Sequence, residues 1–408
     1  MMMIVKPSYY DKFQCIASRC RDNCCIGWEI DIDEETDQYY QNVSGDFGKR
    51  LKEEISRDGT PHFRLKGEKE RCAFLNAQNL CDIFIHLGEE HLCGICREHP
   101  RFYEWYEDIP GLMDWRETGL GLCCEEAVRL LVSEPFALVV QWESEEEQRQ
   151  WEKMTEYPRT EEASYLLAVL SARETVFLLL KGDGNQNEAG QSSLADRSIQ
   201  ILQMAEEIQD CMDVSGNLAE TAENIRKISK YYQQSGLYKK TGKYKENLSN
   251  EQGSVYFRQL FSILRELEPM GDFWLNILDE LDFYIDELLS LAASRQEEGA
   301  ECCKRLMEYM IYRYFGKCAF DGDISSKVRL AVLFAVLVQL MDLNAVRIHG
   351  SFLREAQMEH IRLLSKEIEY SEENLEYLQN AFWSEESCST EGLSEAVRIL
   401  WGGGSKDE

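Results

Sequence analysis

Basic side chains are scarce in this chain. Forty-four lysines and arginines stand against 74 aspartates and glutamates over 408 residues, a formal charge of −30. That balance excludes a surface built to neutralise phosphates, so nucleic acid is not an expected partner. A long hydrophobic run is also missing. The longest uncharged apolar stretch, residues 330–341, is interrupted by Gln339 and falls short of the roughly 20 residues that cross a bilayer. It reads as a buried core helix, and no membrane partner is expected. Residues 1–13 contain Lys6, Pro7, Asp11 and Lys12 where a secretory leader needs a continuous apolar segment, which predicts a cytoplasmic protein. A glycine-rich nucleotide fingerprint is absent too: Gly182-Asp-Gly184 lies in a polar stretch with neither a preceding β-type run nor a close third glycine.

What is present is enough apolar matter, 44% of the residues, for two or three packed domains. There are also 15 cysteines. In a reducing compartment a chain of this length has no need of disulfides, so the thiols require another explanation. Ten fall within the first 124 residues: Cys15, Cys20, Cys24, Cys25, Cys72, Cys81, Cys93, Cys96, Cys123 and Cys124. Cys211, Cys302, Cys303, Cys318 and Cys388 are scattered and read as small buried hydrophobes. Charge does not follow this asymmetry, since residues 1–124 carry 15 basic and 23 acidic side chains, net −8, leaving −22 for the remainder.

The chain thus divides into a cysteine-rich, metal-binding module, residues 1–130, and an all-α region, residues 131–408. In the first part Asp33 is a candidate N-cap for a helix running toward Val43, residues 62–66 and 71–75 suit a small hairpin around Gly67, residues 76–79 a turn, and Asp82 the cap of a short helix ending at Gly88. Little other regular structure is expected there. From Glu125 onward the apolar period is helical. Trp274, Ile277, Leu278, Leu281, Tyr284, Ile285 and Leu288 recur at steps of three and four behind Asp272, and about ten helices are expected in a bundle-like body. Polar stretches near 181–193 and 233–253 read as loops, and the tail from Gly402 as frayed. The fold class is therefore mainly α, with an irregular N-terminal module.

Thiolates bind soft or borderline metals at short range and tie together loops that cannot fold alone. A structural zinc ion takes four ligands, and the N-terminal thiols exceed that number, so an iron–sulfur cluster or two metal centres accommodates them more easily. The Cys-x3-Cys-x2-Cys triplet of radical enzymes is missing, because Gly27 stands where its third thiol would be. His62, His86, His91 and His99 share this region and are left out of the ligand set, a lone histidine more often being a satisfied polar residue.

These residues resemble the flagellin lysine-N-methylases. The matching stretches are Phe13-Gln-Cys15, Cys20-Arg-Asp-Asn-Cys24-Cys25-Ile-Gly27-Trp28, Cys72-Ala-Phe-Leu75, Leu80-Cys81-Asp-Ile83, Leu87-Gly88-Glu89, Leu92-Cys93, Cys96, Pro100-Arg101, and Cys124-Glu-Glu-Ala127 with Arg129-Leu130. His99 and Cys123 depart from the family pattern, which leaves Cys123 out of the ligand set. The resemblance implies methyl transfer from S-adenosylmethionine to lysine ε-amines of flagellin, aided by an iron–sulfur cluster of the 4Fe-4S type. The metal ligands are taken, as a set, from Cys15, Cys20, Cys24, Cys25, Cys72, Cys81, Cys93, Cys96 and Cys124. One cubane takes four cysteines, so the others surround it, hold a second centre or are simply buried. Zinc stays open as the alternative metal, and an iron–sulfur redox or electron-transfer protein, or a zinc-stapled binding protein without methyltransferase activity, as the alternative function. Tyr103, Trp105, Tyr106 and Trp115 are candidates for an aromatic wall facing the donor's sulfonium. The catalytic base and the donor-binding residues have no sequence signature.

Overall fold

The computed structural model describes residues 3–182, 192–234, 250–271, 273–295 and 298–402. Helix dominates. From Glu125 onward thirteen α-helices lie among the described residues, against the ten or so expected. At their centre Ile324–His349 is buried along most of its length, because its apolar residues surround the whole helix rather than one stripe. This helix and Glu161–Lys181 are long and apolar enough to span a membrane by composition alone; here 83% and 61% of their apolar windows are buried inside the protein. The expected amphipathic stripe is borne out in Phe273–Ala292, which buries Trp274, Leu278, Leu281, Ile285 and Leu288. Asp272, its expected cap, lies outside the described residues, as do most of the two polar stretches and the tail beyond Gly402.

A four-stranded sheet was not anticipated. Its order is Arg101–Tyr106, Trp115–Leu120, Met3–Pro7, Leu138–Gln141. Met3–Pro7 runs parallel to Trp115–Leu120 and antiparallel to Leu138–Gln141, so the N-terminal strand is interior. Arg101–Tyr106 and Trp115–Leu120 form a hairpin in the register Arg101↔Leu120 to Tyr106↔Trp115. The Tyr312 hydroxyl, from helix Ala300–Tyr314, accepts from the Thr118 N–H at 3.1 Å and donates to the Val5 carbonyl at 2.8 Å. Arg173 reaches Glu117 through two nitrogens in a buried ion pair. Sheet and helical body are thereby one packed unit.

Between the first strand and this hairpin the chain makes a long excursion with its own small core: Ile30, Ile32, Tyr40, Leu51, Ile55, Phe63, Phe74, Leu75 and Ile83, with Cys72 and Cys93 among them. Asp33 caps helix Glu34–Asn42 by accepting the Thr36 N–H at 2.9 Å, as its sequence position predicts. The hairpin around Gly67 pairs Leu65–Lys66 with Arg71–Cys72, and Gly67 supplies the positive φ, +69°, that the turn requires. His62–Phe63 pairs instead with Ile55–Ser56. Asn76 closes the expected turn by accepting the N–H groups of Gln78 and Leu80. The short helix Asp82–Leu87 begins one residue earlier than expected, with Cys81 at the N-cap.

Candidate metal centre

The excursion delivers its cysteines to one place by backbone pairing. The Cys72 N–H donates to the Cys25 carbonyl at 2.8 Å, Ile26 bridges Arg71, and Leu75 bridges Cys81. Arg50 secures this layer through Asp82 and the Ala73 carbonyl, both at 2.7 Å. The Tyr40 hydroxyl donates to the His91 carbonyl at 2.7 Å and Asp33 accepts the Gly94 N–H at 2.8 Å, which positions the turn carrying Cys93 and Cys96.

Three of the thiols sit at helix starts. Cys81, Cys93 and Cys124 occupy the N-cap positions of Asp82–Leu87, Gly94–Glu98 and Glu125–Ser133. Helix N-termini direct free N–H groups at the capping sulfur and favour its anionic form. At Cys124 burial pushes the thiol up to about 11, with the Ala127 and Glu126 amides opposing it. At Cys81 burial likewise raises the thiol against the Phe84 and Ile83 amides. Burial lifts Cys72 to about 11 and Cys20 to about 12. Within the adjacent pair, Cys24 is lowered by the hydrogen bond it accepts from Cys25, and Cys25 is raised by donating it and by burial. Cys93 and Cys96 repeat that arrangement, Cys93 lowered and Cys96 raised.

Burial of several thiols together makes their charges interact. Cys25, Cys72, Cys81, Cys93 and Cys96 act on one another. Cys15, Cys20 and Cys24 act with Cys124, and Cys24 also reaches Cys81. Cys15 and Cys24 are exposed, whereas Cys72 and Cys93 are buried. Among the described residues no three of their sulfurs lie within 4.8 Å of one another. Cys123 points elsewhere, to a hydrogen bond with Tyr370, and burial pushes it up to about 12. Of the five scattered cysteines, four are buried in the helical body as expected; Cys211 is half-exposed near the end of Leu194–Val214.

The four aromatics do not make one wall. Tyr106 stacks on Trp115 with centroids 4.4 Å apart, both buried, whereas Tyr103 and Trp105 lie beneath the Arg116 guanidinium. Alternation along the strand separates them. Sequence reasoning also missed the anchor between the thiol region and the body. Asp22, inside Cys20-Arg-Asp-Asn-Cys24, is bound by Arg362 and by Lys366 at 3.3 Å, and Arg21 reaches Glu125 at 2.9 Å. Burial pushes Asp22 up, and the Arg362 guanidinium with its neighbours more than reverses this.

Residues 189–395 match the family described as the FliB lysine N-methylase C-terminal domain, about half of the chain. Proteins named lysine-N-methylase from Salmonella typhimurium and Salmonella choleraesuis are each 26% identical over 145 residues, 34% of this chain and 34% of their own length. The flagellar biosynthetic protein FliU of Salmonella muenchen is 26% identical over 145 residues, covering 81% of that protein. The similarity therefore spans about a third of the two lysine-N-methylases. No solved structure matches. The family pattern, carried across about half of the chain, places this protein in the lysine N-methylase family.

Proposed function

We propose that this protein transfers a methyl group from S-adenosylmethionine to lysine ε-amines of flagellin in the cytoplasm, and that its cysteines hold an iron–sulfur cluster of the 4Fe-4S type. The family match over residues 189–395 carries the reading, and the relatives' names support lysine as the acceptor. The donor set supports the metal: nine soft donors are crowded into one thin-cored part of the chain, none of them used in a disulfide. Cys25, Cys72, Cys81, Cys93 and Cys96, or Cys15, Cys20, Cys24 and Cys124, would hold such a group. When bound, it supplies cross-links between segments too short to fold alone.

The reaction sets its own demands. A lysine ammonium has no free electron pair, so Nζ must first lose a proton, through desolvation or to a base. The Nζ lone pair then forms a bond to the methyl carbon as the C–S bond breaks, and S-adenosylhomocysteine leaves with the C–S bonding pair. The net charge of −30 favours approach of a lysine-bearing partner. Incubation with labelled S-adenosylmethionine and unmodified flagellin, followed by peptide mass analysis, tests the assignment. Label on flagellin lysines is the expected result. Brown, reducible protein that leaves flagellin unlabelled would favour an electron-transfer role, and colourless zinc-containing protein a binding role.

A further inference from the structure

Glu29 and Asp31 project from the outer face of the extended segment whose inner face buries Ile30 and Ile32. His62 lies directly across from Asp31. The Phe63 N–H donates to the Ile30 carbonyl at 3.1 Å and the Ile32 N–H to the Pro61 carbonyl at 2.7 Å, while His62 pairs on its other side with Ser56. Backbone pairing thus fixes an opposed pair and a diagonal neighbour on one face. One carboxylate oxygen of Glu29, one of Asp31 and a ring nitrogen of His62 all lie within 4.8 Å of one another.

The histidine's orientation makes this more than an acidic patch. Its Nδ1 sits 2.9 Å from the Thr60 carbonyl, which leaves Nε2 as the ring nitrogen turned toward Glu29. Nε2 then faces Glu29 Oε2 at 3.4 Å. Among the described residues no lysine or arginine nitrogen comes within 4 Å of Glu29 or Asp31, whereas nearby acids are paired, Asp37 with Arg57 at 2.7 Å and Glu54 with Lys66 at 2.6 Å. Two carboxylates and an oriented imidazole therefore converge, among the described residues, with no lysine or arginine beside them.

We propose that Glu29, Asp31 and His62 form a binding site for a divalent first-row transition ion, distinct from the thiol centre. Two oxygens and one imidazole nitrogen suit borderline-hard ions, and the Thr60 carbonyl behind His62 is the outer partner that metal-ligating histidines characteristically use. The site faces outward from the segment whose opposite side packs with Cys72 and Cys93. An ion there would pin the strand that follows Cys24 and Cys25 onto the His62 hairpin.

Mn2+ is the appropriate probe, because it prefers oxygen and nitrogen donors to thiolates. Full-length protein as isolated is titrated with Mn2+, and binding is read from loss of the free-ion electron-spin signal. Saturable binding of one ion is expected, weakened at least about tenfold in both Glu29→Gln and His62→Gln. Melting temperature and iron content should be unchanged in Glu29→Gln, whose side chain is 58% exposed. Absence of saturable binding in the parent protein, as when a proton occupies Nε2 instead, would overturn the proposal. So would unchanged affinity in both variants.

Discussion

In the helical body, apolar residues from Tyr9 to Trp401 merge into a single cluster around Ile324–His349, a helix of 26 residues. The thiol-bearing excursion has little to compare with this. Its paired strands are two residues long, its longest helix has ten, and its small core counts Cys72 and Cys93 among its members. A core so thin does not offset the entropy of ordering its loops unless something else ties them. The contrast teaches that one chain uses two sources of cohesion: apolar burial in the body, and polar pairing with gathered sulfurs in the excursion.

Replacing Cys24 and Cys25 by serine attacks the second source and should have the largest effect. In anaerobically purified protein, iron should fall to a small fraction of the parent's and the excursion should become sensitive to proteolysis, while far-ultraviolet circular dichroism keeps most of its helical signal. Unchanged iron and melting would refute the metal assignment. Trp274→Ala attacks the body instead. Trp274 is 1% exposed and its indole N–H donates to the Leu264 carbonyl at 3.0 Å. Chemical denaturation should show a loss of about 3–5 kcal/mol, with iron per folded molecule retained.

The junction is the next place to sharpen the contrast. Arg362→Met removes the guanidinium that Asp22 shares with Lys366 and should cost about 1–3 kcal/mol, since it leaves a partly buried carboxylate with Lys366 alone. Calorimetry should then resolve separate transitions for excursion and body. The smallest effect concerns Glu308, in the body, which burial raises to about 7 against the pull of Lys304. Because the folded pKa lies above the unfolded one, the stabilisation from its protonated form is complete below about pH 4.5 and disappears as pH rises through about 7. Glu308→Gln should flatten that part of the stability profile by on the order of 1–2 kcal/mol, and leave the excursion's proteolysis untouched.

Local chemistry was legible where a residue acts on its neighbours. Asp33 announces a cap, Gly67 and Asn76 announce turns, and the period of Trp274 to Leu288 announces a buried stripe; each does in the structure what its type and spacing demand. Pairing across long separations was not legible. Met3–Pro7 is too short to show alternation and finds its partners at Trp115–Leu120 and Leu138–Gln141. The nearness in sequence of Tyr103, Trp105, Tyr106 and Trp115 suggests one wall, but alternation along the strand sends them to two different faces. At the thiol centre, which residues carry the sulfurs was readable from their crowding. That Cys81, Cys93 and Cys124 begin helices, and that Asp22 anchors the centre to Arg362, depends on tertiary placement.

The interior position of Met3–Pro7 has a consequence for how the molecule assembles. Its register with Trp115–Leu120 cannot form until the whole intervening excursion has been synthesised, so the two ends of that excursion meet late. Joining them costs an entropy that grows only slowly with the length enclosed. Any link made earlier among residues inside the loop shortens the path that remains to be closed. Occupation of the sulfurs would therefore speed completion of the sheet as well as hold its neighbour in shape.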